Sequence, residues 1–286
     1  MTVLEVIQKS TEFLTRKGVE SPRLQTELLL AHVLKLPRMK LYLNFERVLS
    51  ATEMDTLREL VRRRSLREPL QHITGTAAFG DWEMAVNGHV LVPRPETELL
   101  AESGWQFLST INSRRSTALD FGTGSGCIAI ALASKCPNAG VTALDVSTEA
   151  LAVARQNAER NGVAERIEFV ESDGFRALAV GRRFDLIISN PPYIPSAEIA
   201  TLQPEVRDFD PRGALDGGVD GLDFYRQLAT EAASRLEAGG KLMVEFGDGQ
   251  SPSLEKLFTD EKWVVEAVRP DYSQRQRILI ARRDEL

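Results

Sequence analysis

Thr117-Ala-Leu-Asp-Phe-Gly-Thr-Gly-Ser-Gly-Cys127 reads as a short apolar strand that runs through three alternate glycines into a helix beginning near Cys127. Glycines at a strand-to-helix turn let a ligand approach the backbone closely. The spacing here is Gly-x-Gly-x-Gly. The dinucleotide fingerprint, Gly-x-Gly-x-x-Gly, would instead ask for a small residue at Cys127 and a pyrophosphate on the helix N-terminus, so a nicotinamide cofactor is disfavoured. Working outward, Val141-Thr-Ala-Leu-Asp145 is a second strand that ends in an acid, with Ser147 placed to cap a helix that Asn161-Gly162 stops. A third ends at Glu171-Ser-Asp173-Gly174, and a fourth, Phe184-Asp-Leu-Ile-Ile-Ser189, runs straight into Asn190-Pro191-Pro192-Tyr193. With strands expected over 117–121, 140–145, 166–170, 184–189, 241–246, 263–268 and 277–281 and amphipathic helices between them, the chain predicts an α/β fold. Its sheet is mostly parallel and doubly wound, Rossmann-like, with both faces covered.

The first 70 residues carry helical periodicity only. Val3, Val6, Ile7, Phe13 and Leu14 share one face, and Leu24, Leu28 and Ala31 another. Ser21 is expected to cap a helix that starts at Pro22 and ends by Pro37, and Ser50-Ala-Thr-Glu53 spells a capping box. Between Phe79 and Val92 the period changes to two around Asn87-Gly88, which predicts a β-hairpin. Pro93-Arg94-Pro95 breaks regular structure ahead of a helix near Glu96. The expected organisation is a helical domain over 1–75, a hairpin linker over 76–93, and the α/β domain over 94–286. The stretch 195–221, rich in Pro, Gly and Asp, is too long for a connection and reads as a functional loop over a site.

Ligands of open α/β sheets lie outside the carboxyl ends of the strands. Asp145 is therefore placed to bind a ribose diol, with helix capping as its plainer use. Asp173, beside Gly174, suits an adenine amino group or the cap of the next turn. After the fourth strand, two prolines remove backbone donors and stiffen the turn. They leave the Asn190 side chain and the Pro191 carbonyl as fixed acceptors beside the Tyr193 ring, a match for the two donors of a planar –NH2 group.

Bulk composition narrows the classes. A formal charge of −6 argues against general affinity for nucleic acid, and Arg62-Arg63-Arg64 with Arg67 reads as a solvated helical face. Cys127 and Cys136 lack zinc or redox spacing, which fits a reducing compartment, and no metal site is expected. His32, His72 and His89 all precede the glycine loop, so no histidine is conveniently placed as a base. The first residues hold no apolar run of the kind a signal peptide needs, and no membrane span is expected. Arg283-Asp-Glu-Leu286 resembles a retrieval tail only superficially.

The stretch from Gly122 to Tyr193 resembles the class I S-adenosylmethionine-dependent methyltransferases, and Asn190-Pro-Pro-Tyr193 resembles their subgroup that methylates planar nitrogens. Pro69-Leu-Gln-His-Ile-Thr-Gly75, Leu91-Val-Pro-Arg-Pro-Glu-Thr-Glu98 and the helical N-terminal region are similar to the PrmC/HemK family of release-factor glutamine methyltransferases. That family modifies the Gly-Gly-Gln loop of peptide chain release factors. The resemblance covers almost the whole chain and implies S-adenosylmethionine as cofactor, S-adenosylhomocysteine as product, and transfer to the side-chain N5 of the loop glutamine. It also implies release factors as partners of a cytoplasmic monomer, with neither membrane nor direct nucleic-acid contact. By the same resemblance the cofactor loop falls on Gly122, Thr123, Gly124, Ser125 and Gly126, and the ribose acid on Asp145. Asp173, Gly174 and Asn190 complete the cofactor set. Asn190, Pro191, Pro192 and Tyr193 form the substrate-amide site, with Asn190, Pro191 and Tyr193 catalytic, and Arg94, Pro95 and Glu96 lie near its entrance. The chain departs from some members in having Gly174-Phe175 where they carry a bulky aromatic after the Ser-Asp pair. The alternative function is an N6-adenine or N2-guanine nucleic-acid methyltransferase, whose exocyclic amine offers the same two donors. The acidic balance and the lack of a DNA-reading module count against it.

Overall fold

The computed structural model describes residues 1–111 and 114–284, so Glu285 and Leu286 of the tail lie outside the described residues. It divides into two units, the smaller of which comprises Met1–Thr76 together with Gln203–Phe209. Its helices Val3–Arg16, Pro22–Leu34 and Ala51–Ser65 close around Leu14, Leu29, Leu30, Leu41 and Leu57, none more than 2% exposed. Each such side chain contributes roughly 1.5–3 kcal/mol.

The Ser50 capping box forms in both directions: Ser50 Oγ accepts from Glu53 N at 3.2 Å, and Glu53 accepts from Ser50 N at 2.8 Å. Ser21 departs from expectation. Pro22 does stand at the first helical position, but Ser21 takes a left-handed φ of 47° and its side chain makes no capping bond. The helix closes at Leu34, with Lys35 left-handed, before Pro37 is reached. Its buried face is also rotated from the expected one. Leu24 is 42% exposed, whereas Glu27 is buried with Leu30, Ala31 and Leu34. Apolar periodicity cannot register a carboxylate on the inner face, and this one is held by Arg23 and Arg38, each at 3.0 Å, and by the Tyr42 hydroxyl at 2.9 Å. The basic run is a solvated face only in part, Arg62 being 59% exposed along its side chain and Arg64 buried. Arg62 pairs with Glu59 and Arg63 with Glu68, while Arg64, only 2% exposed, shares Glu205 with Arg67.

The larger unit comprises Ala77–Leu202 and Asp210–Leu286. The hairpin pairs β1 (Thr76–Phe79) with β2 (Trp82–Ala85), turning at Gly80-Asp81 and not at Asn87-Gly88. At Asn87 the chain instead makes an Asx turn, His89 N donating to Asn87 Oδ1 at 2.9 Å. Val86, Val90 and Val92 alternate because each is buried in the core, and Pro93 and Pro95 have no N–H to give a ladder. The following helix spans Pro95–Leu108.

The main sheet contains β3 (Thr117–Phe121), β4 (Gly140–Asp145), β5 (Ile167–Glu171), β6 (Phe184–Ser189), β7 (Leu236–Glu245), β8 (Trp263–Pro270) and β9 (Gln276–Arg283). Their order is β5-β4-β3-β6-β7-β9-β8, parallel from β5 to β7, with β9 antiparallel to both its neighbours. The expected mostly parallel, doubly wound sheet is what forms. One apolar cluster gathers Leu100, Ile128 and Val153 from the helices on one face, and another gathers Tyr225, Leu254 and Phe258 on the other. Successive residues Leu186 and Ile187 of β6 divide between them, as a strand covered on both faces requires.

Candidate active site

β3 and β6 are neighbours in the sheet, and the chain leaves them for opposite edges, which opens a crevice at their carboxyl ends. A cavity of about 310 Å³ lies there. Gly122, Thr123, Gly124, Ser125 and Asp145 line it from the ends of β3 and β4. Asp173 and Gly174 reach it from β5, Asn190 and Pro192 from β6, and Arg94 from the segment ahead of the Pro95–Leu108 helix. Gly126, Pro191, Tyr193, Pro95 and Glu96 are not part of its lining.

The three loop glycines divide their labour. Gly122 and Gly124 have φ of +74° and +54°, and a Cβ on either would meet no atom within 4 Å, so both present open backbone at the cavity. A Cβ on Gly126 would sit 3.0 Å from Ala154 Cβ, so that glycine serves the packing of its helix on the next. Gly122 N and Thr123 N both donate to Leu144 O, at 2.8 and 2.9 Å, tying the loop to the end of β4. Asp145 fixes the same loop: one oxygen accepts from Gly124 N at 2.8 Å and the other from Ser147 N at 3.0 Å. A carboxylate oxygen has two lone pairs, so each keeps one for a ligand. Asp120, buried behind the loop, accepts from Thr123 Oγ1 at 2.6 Å and Ala129 N at 3.1 Å. Burial pushes it up to about 7 against those two bonds.

At the β5 end, Asp173 pairs with Arg176 on the surface. The Phe175 ring packs against Phe121 in the core, centroids 4.9 Å apart and planes tilted by 37°, and lies outside the cavity lining. Val146, 69% exposed, is an apolar side chain that does line it.

At the β6 end, Ser189 Oγ donates to Phe121 O at 2.6 Å, locking the two strand ends together. Asn190 Nδ2 donates to Thr97 Oγ1 at 3.0 Å, and Thr97 Oγ1 donates to Glu245 Oε2 at 2.7 Å. Thr97 and Glu245 are 3% and 2% exposed. Burial pushes Glu245 up to about 7, opposed by the Thr97 bond. Burial, with Glu245 nearby, also pushes the Tyr193 phenol up to about 12, so it stays a neutral O–H. Gln250 Nε2 holds the Tyr193 carbonyl at 2.9 Å, and Arg94 donates to Asp210 at 2.9 Å. The sequence reading missed Thr97, Glu245 and Gln250. Glu245 had a signal, since it tips an apolar strand just as Asp145 does, and Thr97 lies inside the 91–98 stretch already singled out.

Among the described residues no group of His, Cys, Asp and Glu could hold a metal ion, and no helix is long and apolar enough to cross a membrane. Two domain families match the chain in order: the PrmC N-terminal domain over residues 5–75 and the methyltransferase small domain over 102–203. The release factor glutamine methyltransferase of Geobacter sulfurreducens is 45% identical over 258 residues, 90% of this chain and 88% of that one. Its counterpart in Chlorobaculum tepidum is 45% identical over 282 residues, 96% of this chain and 95% of that one. A crystal structure of a methyltransferase from Pyrococcus furiosus shares the fold, with TM-score 0.51 and 24% identity over 71% of this chain and 90% of that chain. Relatives this similar over nearly the full length of both chains place the protein: it belongs to the release factor glutamine methyltransferase family.

Proposed function

We propose that the cavity binds S-adenosylmethionine against the Gly122–Gly126 loop and Asp145, and presents a glutamine side-chain amide to it at Asn190-Pro-Pro-Tyr193. The substrate is the Gly-Gly-Gln loop of a peptide chain release factor, methylated on N5. The observation that carries this reading is the acceptor at the end of β6 facing the same cavity as the open glycine loop. S-adenosylmethionine is the methyl donor of the family, and the residues present fit it: two glycines leave backbone bare where a ligand would lie, and Asp145 retains a lone pair on each oxygen. Bound there, it supplies a methyl group already activated on a sulfonium.

An amide nitrogen is a poor nucleophile because its lone pair is delocalised into the carbonyl, so positioning must supply much of the rate. As the nitrogen pyramidalises, its hydrogens become more positive. Acceptors at Asn190 Oδ1 and the Pro191 carbonyl then bind the transition state better than the ground state. Tyr193 packs as a neutral phenol, and Pro192 and Arg94, with Pro95 and Glu96 behind it, shape the entrance. Asp173 and Gly174 take the adenine side. The proton leaves to water after transfer.

The helical region 1–75 is assigned to holding the folded factor, with 76–93 as linker and 94–286 as the cofactor domain. Two buried free cysteines suit the cytoplasm, and a charge of −6 supports a protein partner over nucleic acid.

Incubation with labelled S-adenosylmethionine, release factor and oligonucleotides, followed by mass spectrometry, tests the reading. Label is expected on the loop glutamine and absent from a factor whose glutamine is alanine. Preferential labelling of the oligonucleotides would overturn it. Asp145→Ala is expected to keep the fold and weaken cofactor binding by roughly 1.5–3 kcal/mol, the worth of charge-assisted hydrogen bonds. Calorimetry showing unchanged affinity would remove Asp145 from that role.

A further inference from the structure

Two buried side chains behind Asn190 have no task in the reading above. We propose that Glu245 and Thr97 form a positioning relay that decides which end of the Asn190 carboxamide faces the substrate. The two ends of a carboxamide are nearly the same size, so packing alone cannot choose between them, yet one is an acceptor and the other a double donor. A threonine hydroxyl has a single proton. Here it goes to Glu245 Oε2 at 2.7 Å, which leaves only lone pairs facing Asn190 at 3.0 Å. Those lone pairs accept from Nδ2 and would repel Oδ1. Oδ1 is thereby turned outward, and among the described residues no hydrogen bond engages it.

A flipped carboxamide would set –NH2 against the –NH2 of an incoming amide, two donors face to face. The relay prevents this without touching substrate. It is dry, with both members at most 3% exposed, so no solvent competes for the Thr97 proton. It is also pinned at both ends. Thr97 stands in the first turn of the Pro95–Leu108 helix, whose positive end favours a carboxylate beside it. Glu245 ends β7, where its own carbonyl takes the Tyr225 hydroxyl at 2.7 Å and the next amide, Phe246 N, donates to Arg277 O at 2.9 Å.

The proposal rests on Asn190 Oδ1 being the substrate acceptor, and the test separates the two ideas. Thr97→Val, Thr97→Ser and Glu245→Gln are compared with the native enzyme above neutral pH, and Thr97→Val is also made on Asn190→Ala. The readouts are kcat and KM for release factor and the calorimetric Kd for S-adenosylmethionine. Thr97→Val is expected to lower kcat roughly tenfold, with the cofactor Kd unchanged and most of the rate restored in Thr97→Ser. Glu245→Gln should lower kcat by a smaller factor, because its carboxamide can present either its oxygen or its –NH2 to Thr97 and so no longer fixes the hydroxyl proton away from Asn190. On Asn190→Ala, Thr97→Val should have no further effect, since the relay then has nothing to orient. If Thr97→Val costs the same factor on both backgrounds, the role is structural and the relay falls. If Glu245→Gln and Thr97→Val both turn over at the native rate while Asn190→Ala is impaired, the relay falls and the acceptor reading stands. A fully active Asn190→Ala would remove the reading beneath it. Should Thr97→Val fail to fold, Thr97→Ala, which also removes the hydroxyl, takes its place in the same comparison, and a native rate there overturns the relay.

Discussion

Asn190→Ala is expected to bind S-adenosylmethionine almost as tightly as the native enzyme and to transfer methyl on the order of 10²–10³-fold more slowly. The magnitude is that of deleting one preorganised group that meets charge developing in the transition state. The asymmetry follows from where the side chain sits. Its Nδ2 faces inward to Thr97, so removing the carboxamide takes away an acceptor aimed at the substrate and leaves the glycine loop and Asp145, which are tied to Leu144 and Ser147, undisturbed. Single-turnover rates with release factor, alongside calorimetry with S-adenosylmethionine, check both halves. Because Asn190 and the loop line one cavity, a collapse of cofactor affinity would reassign the residue to cofactor binding.

The parts of this site that could be read from sequence are those built from contiguous chain. Asp145 and Asn190 each end an apolar run, and a strand that ends in a polar residue delivers it to the one edge of a parallel sheet where ligands lie. The helix caps at Ser50 and Ser147 were equally legible, since a cap is a bond over three residues. What failed was every feature in which local pattern had two causes. Alternation through Val86, Val90 and Val92 arises from burial and not from cross-strand pairing, so the hairpin was placed one turn too late. Glu27 hides an inner helical face because its charge is met by Arg23 and by Arg38, eleven residues away, with the Tyr42 hydroxyl completing its bonds. Thr97 and Glu245 escaped because their meaning is a bond spanning 148 residues. The stretch after Tyr193 was recognised as too long for a connection, but nothing local shows that Gln203–Phe209 belongs to the helical unit.

That last segment carries the second large effect. Glu205→Ala is expected to destabilise the helical unit by about 3 kcal/mol, the lower end for breaking a buried ion pair by removing one partner. Glu205 receives Arg64 at 2.6 Å and Arg67 at 2.6 and 2.7 Å, and Arg64 is only 3% exposed along its side chain. Arg64 keeps the Glu68 carbonyl at 3.1 Å and its bond to Gln25, and Arg67 is 23% exposed, which is why the upper end is not expected. Burial by itself would raise the Glu205 carboxyl, but the hydrogen bonds from Arg67 and Arg64 hold it below its ordinary value. A carboxyl whose native value is depressed adds stability above its unfolded value and loses it as pH falls through the native one. The native and Glu205→Ala proteins should therefore differ most near neutrality and converge in acid. Hydrogen exchange should show lost protection in Pro204–Arg207 and along Ala51–Ser65, and replacing Arg64 by Met together with Glu205 by Leu should restore part of the loss. Equal melting of native and Glu205→Ala at every pH would show the cluster to be as weak as an exposed ion pair. Helical-unit stability would then rest on its leucine core alone.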